Sequence, residues 1–96
     1  MIIYGIDRNI ITDTNGTTIT AAELKVTTDN WVPCVIASNR PEILRYELHA
    51  PEGFTVITKC ETIEEARGLV GRLALAIAEN KRFVALCDGK ILEERL

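Results

Sequence analysis

The stretch Thr62 to Phe83, TIEEARGLVGRLALAIAENKRF, is the one segment whose pattern predicts a long helix without competition. Thr62 and Glu65 have the T-x-x-E spacing of a capping box, in which the threonine hydroxyl accepts a hydrogen bond from the Glu65 amide and the glutamate carboxylate accepts one from the Thr62 amide. Asn80 suits the left-handed residue that ends many helices. The sequence therefore predicts a helix over residues 62–80 with both ends encoded.

Seven apolar residues fall on one stripe of this helix at about 100° per residue, and this stripe is the expected core face. They are Ile63, Ala66, Leu69, Val70, Leu73, Ala74 and Ile77. A helix of this length is marginal alone, because ordering the chain costs about as much free energy as burying the stripe returns. The stripe therefore predicts a β-sheet against which the helix packs.

The opposite side of the helix groups Gly68, Gly71, Leu75 and Ala78 by wheel angle. Two glycines in an exposed helix interior cost about 1 kcal/mol each relative to alanine, and a close approach by another backbone would account for them. These four residues therefore predict a self-association surface, most simply that of a two-fold homodimer. The alternative is that the glycines are tolerated and that Leu75 is an ordinary exposed apolar residue.

Short β-rich segments and turns surround the helix. Asn15-Gly16 lies between β-branched runs and predicts a hairpin, and residues 43–49 and 54–59 predict a second hairpin in the middle of the sheet. After the helix, Phe83 to Cys87 predicts a strand that Asp88-Gly89 turns back through a type I′ turn.

The order of elements predicts the α+β class. Short connections indicate antiparallel pairing, so we expect an antiparallel, strongly twisted sheet of about five to seven short strands packed against one long helix, with a C-terminal hairpin strand pair. The length of 96 residues predicts a single domain, 1–96. One helix covers about 10 Å of sheet width, and the uncovered remainder is a second reason to expect self-association.

Charge and hydropathy disfavour two classes of partner. The net charge is −3 and the longest basic cluster is Lys81-Arg82, whereas nucleic-acid binding draws much of its affinity from neutralising phosphates. No apolar stretch approaches the length of a membrane span. The opening MIIYGID lacks the basic prefix of a leader, so we expect a cytoplasmic protein.

Three widely spaced cysteines, Cys34, Cys60 and Cys87, form no C-x-x-C pair and lie in apolar runs, which predicts reduced and mostly buried thiols. A thiol enzyme would need one of them activated by His49, the single histidine of the chain. Zinc sites use paired short spacings, which are missing here, as are the glycine-rich nucleotide motifs. The sequence therefore predicts no catalytic residue, no cofactor and no metal ligand.

Aromatic residues suggest two binding surfaces. Trp31 lies between a turn and Pro33, and its indole could anchor a protein partner, although an aromatic covering one core edge is the simpler interpretation. A sheet face that displays aromatics can also stack single-stranded bases. The aromatics considered for that role are Tyr4, Trp31, Tyr46 and Phe54, with Arg45 and Lys59 interleaved.

The sequence thus predicts a non-catalytic, small cytoplasmic protein-interaction module that self-associates as a dimer. A short, acidic, strand-rich chain of this kind could serve as a bacterial or phage accessory protein. Two alternatives stay open, a single-stranded nucleic-acid binder using an exposed sheet face and a small thiol-dependent enzyme.

Overall fold

The computed structural model describes residues 1–27, 29–38 and 54–96 in full and the backbone of residues 45–47. Within these ranges the chain forms eight strands, one 3₁₀ turn (Ile6–Arg8) and one α-helix. The elements are β1 (Ile2–Gly5), β2 (Ile10–Asp13), β3 (Thr18–Thr27), β4 (Asn30–Ser38), β5 (Arg45–Glu47), β6 (Phe54–Lys59), α1 (Ile63–Ala78), β7 (Phe83–Cys87) and β8 (Lys90–Arg95). No helix among the described residues is long and apolar enough to cross a bilayer.

The strands form two four-stranded sheets, the first in the order β2-β1-β7-β8 and the second in the order β5-β3-β4-β6. Each sheet is mixed, because β1 runs parallel to β7 and β3 runs parallel to β5, while the other pairs are antiparallel. The α+β class is confirmed, and the one α-helix of the described residues, Ile63–Ala78, is slightly shorter than the predicted helix 62–80. The prediction of one antiparallel sheet of about five to seven strands holds only in part, because the described residues form eight strands in two sheets. The two parallel pairs join segments that are not neighbours in the sequence.

Asn15-Gly16 forms a turn, but the predicted hairpin is wrong. The Thr17 amide donates to the Thr14 carbonyl at 3.3 Å, and Gly16 has φ of 76°. Asn15 has no positive φ, so the turn is of type II character and not the type I′ that closes tight hairpins. It leads the chain from β2 in the first sheet to β3 in the second.

The second predicted hairpin, over residues 43–59, is also wrong. β5 pairs with β3 and β6 pairs with β4, so β5 and β6 lie at opposite edges of the second sheet. Alternation of apolar and polar residues identifies strands but does not identify the partner of each strand. His49 and the Pro51-Glu52-Gly53 turn lie outside the described residues.

The C-terminal hairpin is confirmed. β7 and β8 pair antiparallel across the two-residue loop Asp88-Gly89, with φ of 49° at Asp88 and 79° at Gly89. Positive φ at both central residues is the signature of the type I′ turn, which glycine and aspartate adopt at little cost.

The start of α1 keeps one half of the predicted capping box. The Thr62 hydroxyl oxygen accepts a hydrogen bond from the Glu65 amide at 3.1 Å. The hydrogen bonds of the described residues include no return bond from the Thr62 amide to the Glu65 carboxylate, whose Oε1 atom is buried without a partner. The Glu65 side chain therefore does not serve the cap.

The end of α1 is a Schellman motif built on asparagine. Asn80 has φ of 62°, its amide donates to the Ile77 carbonyl at 3.0 Å, and the Lys81 amide donates to the Ala76 carbonyl at 3.0 Å. Asparagine enters the left-handed region more readily than other non-glycine residues because its short side chain bonds locally. The predicted role of Asn80 is confirmed.

The buried side of α1 is rotated from the predicted stripe. Ala66, Leu69, Leu73 and Ala76 are buried, whereas Ala74 is exposed and Ile77 is 46% exposed. The run from Leu73 to Ala78 is apolar at every position, so periodicity alone does not select which side faces the sheet.

The main core lies between the two sheets and the helix, and α1 packs chiefly on β3 and β4. Its buried members come from the first sheet (Ile3, Val84, Leu86), the second sheet (Val35, Ala37, Ile57) and the helix with the residues before it (Cys60, Ala66, Leu69, Leu73, Ala76). A smaller cluster on the other face of the second sheet contains Ala22, Leu24, Cys34, Ile36 and Val56. The second sheet is therefore buried on both faces over these residues.

Candidate functional site

The four predicted self-association residues Gly68, Gly71, Leu75 and Ala78, here called the outward helix face, all lie on the exposed side of α1. Leu75 is 62% exposed. A methyl group added at Gly68 or Gly71 would have no heavy atom within 4 Å outside the local helix. The structure therefore brings these residues together on an open, apolar and unusually flat part of the helix.

The surroundings of the outward helix face make it amphipathic. Arg67 and Arg72 are exposed beside the glycines, and Ala74 and Ile77 extend the apolar area toward the C-terminal end of the helix. This combination can cover an apolar partner surface while its charged margin stays in water.

Trp31 is half-buried at the start of β4, opposite Lys25 in the β3–β4 ladder. The Lys25 ammonium lies 5.8 Å from the centroid of the Trp31 ring, which is the range of a cation–π contact. The indole is partly exposed, and one side of it is engaged within the chain.

The aromatics considered for base stacking do not share one surface in the described part of the protein. Tyr4 belongs to the first sheet and Trp31 to the second, and Phe54 packs against the smaller core cluster. The Tyr46 side chain lies outside the described residues.

The outer face of the first sheet carries a second apolar area, which the sequence did not reveal. Ile3 and Val84 point into the core, and the residues that alternate with them point outward. The registers place Ile2 beside Phe83 and Tyr4 beside Ile11, which is 70% exposed. The sequences of β1 and β7 show no alternation of apolar and polar residues, because both faces of these strands are apolar.

A polar network joins the two sheets where β1 ends. The Asp7 carboxylate accepts from the Thr58 hydroxyl at 3.0 Å and from the Lys59 amide at 3.1 Å. The same Thr58 hydroxyl oxygen accepts from the Gly89 amide at 2.9 Å, and Thr58 is 0% exposed. Thr58 therefore bridges the 3₁₀ turn after β1 and the β7–β8 turn.

Thiol and carboxylate groups gather around this network. Ligand atoms of Asp7, Cys87 and Asp88 lie within 4.8 Å of one another, and the Cys87 Sγ lies 3.7 Å from the Asp88 Oδ2. They adjoin a cavity of about 520 Å³. Its lining residues are Lys59, Cys60, Glu61, Cys87, Asp88, Lys90 and Leu92.

The environment of each thiol opposes ionisation. Burial, reinforced by the nearby Cys60, raises the pKa of Cys34 to about 12, and burial with the Glu65 and Asp7 carboxylates raises the pKa of Cys60 to about 11. Desolvation followed by the Asp88 and Asp7 charges raises the pKa of Cys87. Reactive cysteines have depressed pKa values, and the described surroundings of these thiols shift the pKa in the opposite direction.

We expect the stability of the protein to fall between about pH 9 and pH 11 through its buried thiols. An unfolded thiol titrates near 9.0, whereas the pKa of Cys34 is held at about 12 and that of Cys60 at about 11 in the folded chain. The unfolded state therefore loses protons that the folded state keeps, and the free energy of unfolding falls as the pH rises through this window. Below about pH 9 this contribution is fully present.

Urea unfolding of the wild type and Cys34→Ala as a function of pH measures this effect. The variant should show a shallower decline above about pH 9, because one of the two buried thiols is gone. Equal slopes for the two proteins would contradict the expectation, whatever the stability of the variant at neutral pH.

A groove of about 550 Å³ lies between β3 and α1. It is lined by Ile19, Thr20, Ala21, Glu23, Ile63, Arg67 and Val70. The groove is apolar at its base and carries charged groups of both signs, which gives it no strong preference for one ligand chemistry.

Neither a family model, nor a curated protein, nor a solved structure matches this chain. The function therefore rests on the geometry of the described surfaces alone.

Proposed function

We propose that this protein is a non-catalytic interaction module that self-associates through the outward helix face. The observation that carries the proposal is that Gly68 and Gly71 serve no purpose inside the fold. They lie in a regular helix, have no positive φ and face open space. At about 1 kcal/mol each relative to alanine, they weaken the only helix of the described chain.

The other described glycines each have a reason within the chain. Gly5 lies directly against the Ile57 backbone, and Gly16 and Gly89 adopt positive φ. The contrast indicates that Gly68 and Gly71 serve a contact outside the chain. Glycines let a second backbone approach a helix closely, and Leu75 can then pack into the shallow surface that they leave.

A second copy of the chain is the simplest partner, because a two-fold axis pairs this surface with itself. The 16 residues of α1 span about 24 Å, so a strip of helix buries on the order of 400 Å² per protomer. A stable interface buries about 800 Å² per partner. We therefore propose a weak dimer that dissociates on dilution, with a dissociation constant in the micromolar range or above.

Light scattering after size-exclusion chromatography of the wild type and of Gly71→Arg tests the proposal. The wild type should shift with concentration from the mass of the 10.7 kDa chain toward twice that mass. Gly71→Arg should remain a monomer, because a long charged side chain at the centre of the contact blocks the approach and cannot be desolvated cheaply.

Thr18→Arg provides the matched control, since Thr18 is exposed at the start of β3 and the change adds the same charge away from the helix. This variant should associate like the wild type. A wild type that stays monomeric at millimolar concentration, or a Gly71→Arg protein that still dimerises, would exclude this surface.

A further inference from the structure

Two parts of the chain far apart in sequence bring three metal-ligating groups together. Asp7 lies in the 3₁₀ turn after β1, and Cys87 and Asp88 lie at the end of β7. Their ligand atoms lie within 4.8 Å of one another, and the Cys87 Sγ lies 3.7 Å from the Asp88 Oδ2. A tetrahedral ion with bonds of about 2.3 Å to sulfur and about 2.0 Å to oxygen sets these atoms about 3.5 Å apart.

A separate observation beside this cluster indicates a missing positive partner. The Glu65 Oε1 atom is buried and has no hydrogen-bond partner. A Cβ built on Gly89 would meet this oxygen and the Cys60 Sγ, so both atoms lie around Gly89, the residue after Asp88. A carboxylate oxygen without a partner away from water is costly, and a cation or a cation-bound water would satisfy it.

The charges of this region point the same way. Asp7, Glu65 and Asp88 lie around one junction, and none of the three takes part in a salt bridge with the described lysines and arginines. Lys59 and Lys90 line the adjoining cavity but form no salt bridge with these carboxylates. A bound divalent ion would place positive charge in direct contact with Asp7 and Asp88.

The hydrogen-bond network holds one of the ligands in place. The Thr58 hydroxyl donates to one Asp7 oxygen and the Lys59 amide donates to the other. Each oxygen keeps a lone pair for an ion, and bonds of this type orient ligating carboxylates in metal sites. Asp88 is exposed, so an ion can enter from solvent.

We propose that Asp7, Cys87 and Asp88 form a binding site for a thiophilic divalent cation of the Zn²⁺ class. The thiol excludes Mg²⁺ and Ca²⁺ as preferred occupants, because those ions take oxygen ligands in larger number. Three protein ligands leave a position for water from the adjoining cavity. The sequence did not predict the site, because Asp7 and Cys87 show no short ligand spacing.

Calorimetric titration of the chelator-treated protein with Zn²⁺, with Mg²⁺ as the comparison ion, tests the site. We expect one equivalent of Zn²⁺ to bind and to raise the melting temperature, because a ligand that binds only the folded state stabilises that state. Mg²⁺ should have no comparable effect. Cys87→Ser and Asp88→Asn should each weaken Zn²⁺ binding at least tenfold. Both changes lie at the surface-accessible end of the cluster and leave the Thr58 network intact.

The matched controls are Cys34→Ala and Glu93→Gln. The first removes a thiol of the smaller core cluster, and the second removes an acid of β8, away from Asp7, Cys87 and Asp88. Both should bind Zn²⁺ like the wild type. Titration with Cd²⁺ gives a second readout, since its thiolate charge-transfer absorption should appear in the wild type and vanish in Cys87→Ser.

The proposal is overturned if the protein binds no Zn²⁺ at about 0.1 mM. The dissociation constant would then lie in the millimolar range or above, which is too weak for a metal site. The proposal is also overturned if Cys87→Ser and Asp88→Asn bind Zn²⁺ as the wild type does. Either result leaves the self-association proposal untouched, because the outward helix face shares no residue with this cluster.

Discussion

Replacing Gly5 with alanine is expected to destabilise the protein by about 3 kcal/mol or more, because overpacking against backbone cannot relax through a side-chain rotation. A methyl group at Gly5 would overlap the carbonyl oxygen of Ile57 and lie 3.1 Å from its carbonyl carbon. It would also lie 3.3 Å from the Ile10 Cγ2. Since Gly5 is the point where β1 of the first sheet meets β6 of the second, the two sheets would have to separate.

Urea unfolding of Gly5→Ala measures this loss, and Gly71→Ala is its matched control. The same added methyl group meets nothing within 4 Å at Gly71. In the helix it should raise the unfolding free energy of the monomer by up to about 1 kcal/mol. If the added methyl group lowers the unfolding free energy at Gly5 but raises it at Gly71, then the contact with Ile57, and not the flexibility of glycine, determines the effect at Gly5. A Gly5→Ala loss below about 1 kcal/mol would contradict this account.

Replacing Thr58 with valine is expected to cost about 3 kcal/mol, although valine has nearly the same shape. The buried Gly89 amide would lose its acceptor, and the Asp7 carboxylate would lose one of its two donors. An unsatisfied buried donor costs about 1–3 kcal/mol, and a hydrogen bond to a charged group contributes about 1.5–3 kcal/mol.

Chemical unfolding of Thr58→Val, analysed for an unchanged m-value, checks this expectation. Thr55→Val is the matched control on the same strand, because Thr55 is half-buried and makes no side-chain hydrogen bond with the described residues. It should change stability by less than about 0.5 kcal/mol. Similar losses for the two variants would show that the strand, and not the Asp7–Thr58–Gly89 network, sets the cost.

Gly5→Ala and Thr58→Val both test the junction between the two sheets. Gly5 acts there through a backbone contact and Thr58 through its hydrogen bonds. Gly5 lets the backbones of β1 and β6 meet, and two residues later Asp7 takes up the free donors at the end of β6. Asp7 and Cys87 lie close together because β1 and β7 are neighbours in the first sheet, and Thr58 of the second sheet then holds the Asp7 carboxylate.

The sequence by itself determined the features that depend on residues a few positions apart. The helix, the bond from the Glu65 amide to the Thr62 hydroxyl, the Asn80 terminus and the Asp88-Gly89 turn were predicted correctly, because hydrogen bonds between near neighbours create them. The composition of the outward helix face followed from the same helical periodicity.

Only the tertiary structure decided how the strands divide into two sheets and which groups meet at their junction. β1 pairs with β7 although most of the chain separates them, and no local pattern encodes a partner at that distance. The meeting of Asp7 with Cys87 follows from that pairing. The rotation of α1 that exposes Ile77 and the backbone contact at Gly5 follow from how the helix and the two sheets pack together. Each of these features depends on the packing of the whole core, whose residues lie far apart in the sequence.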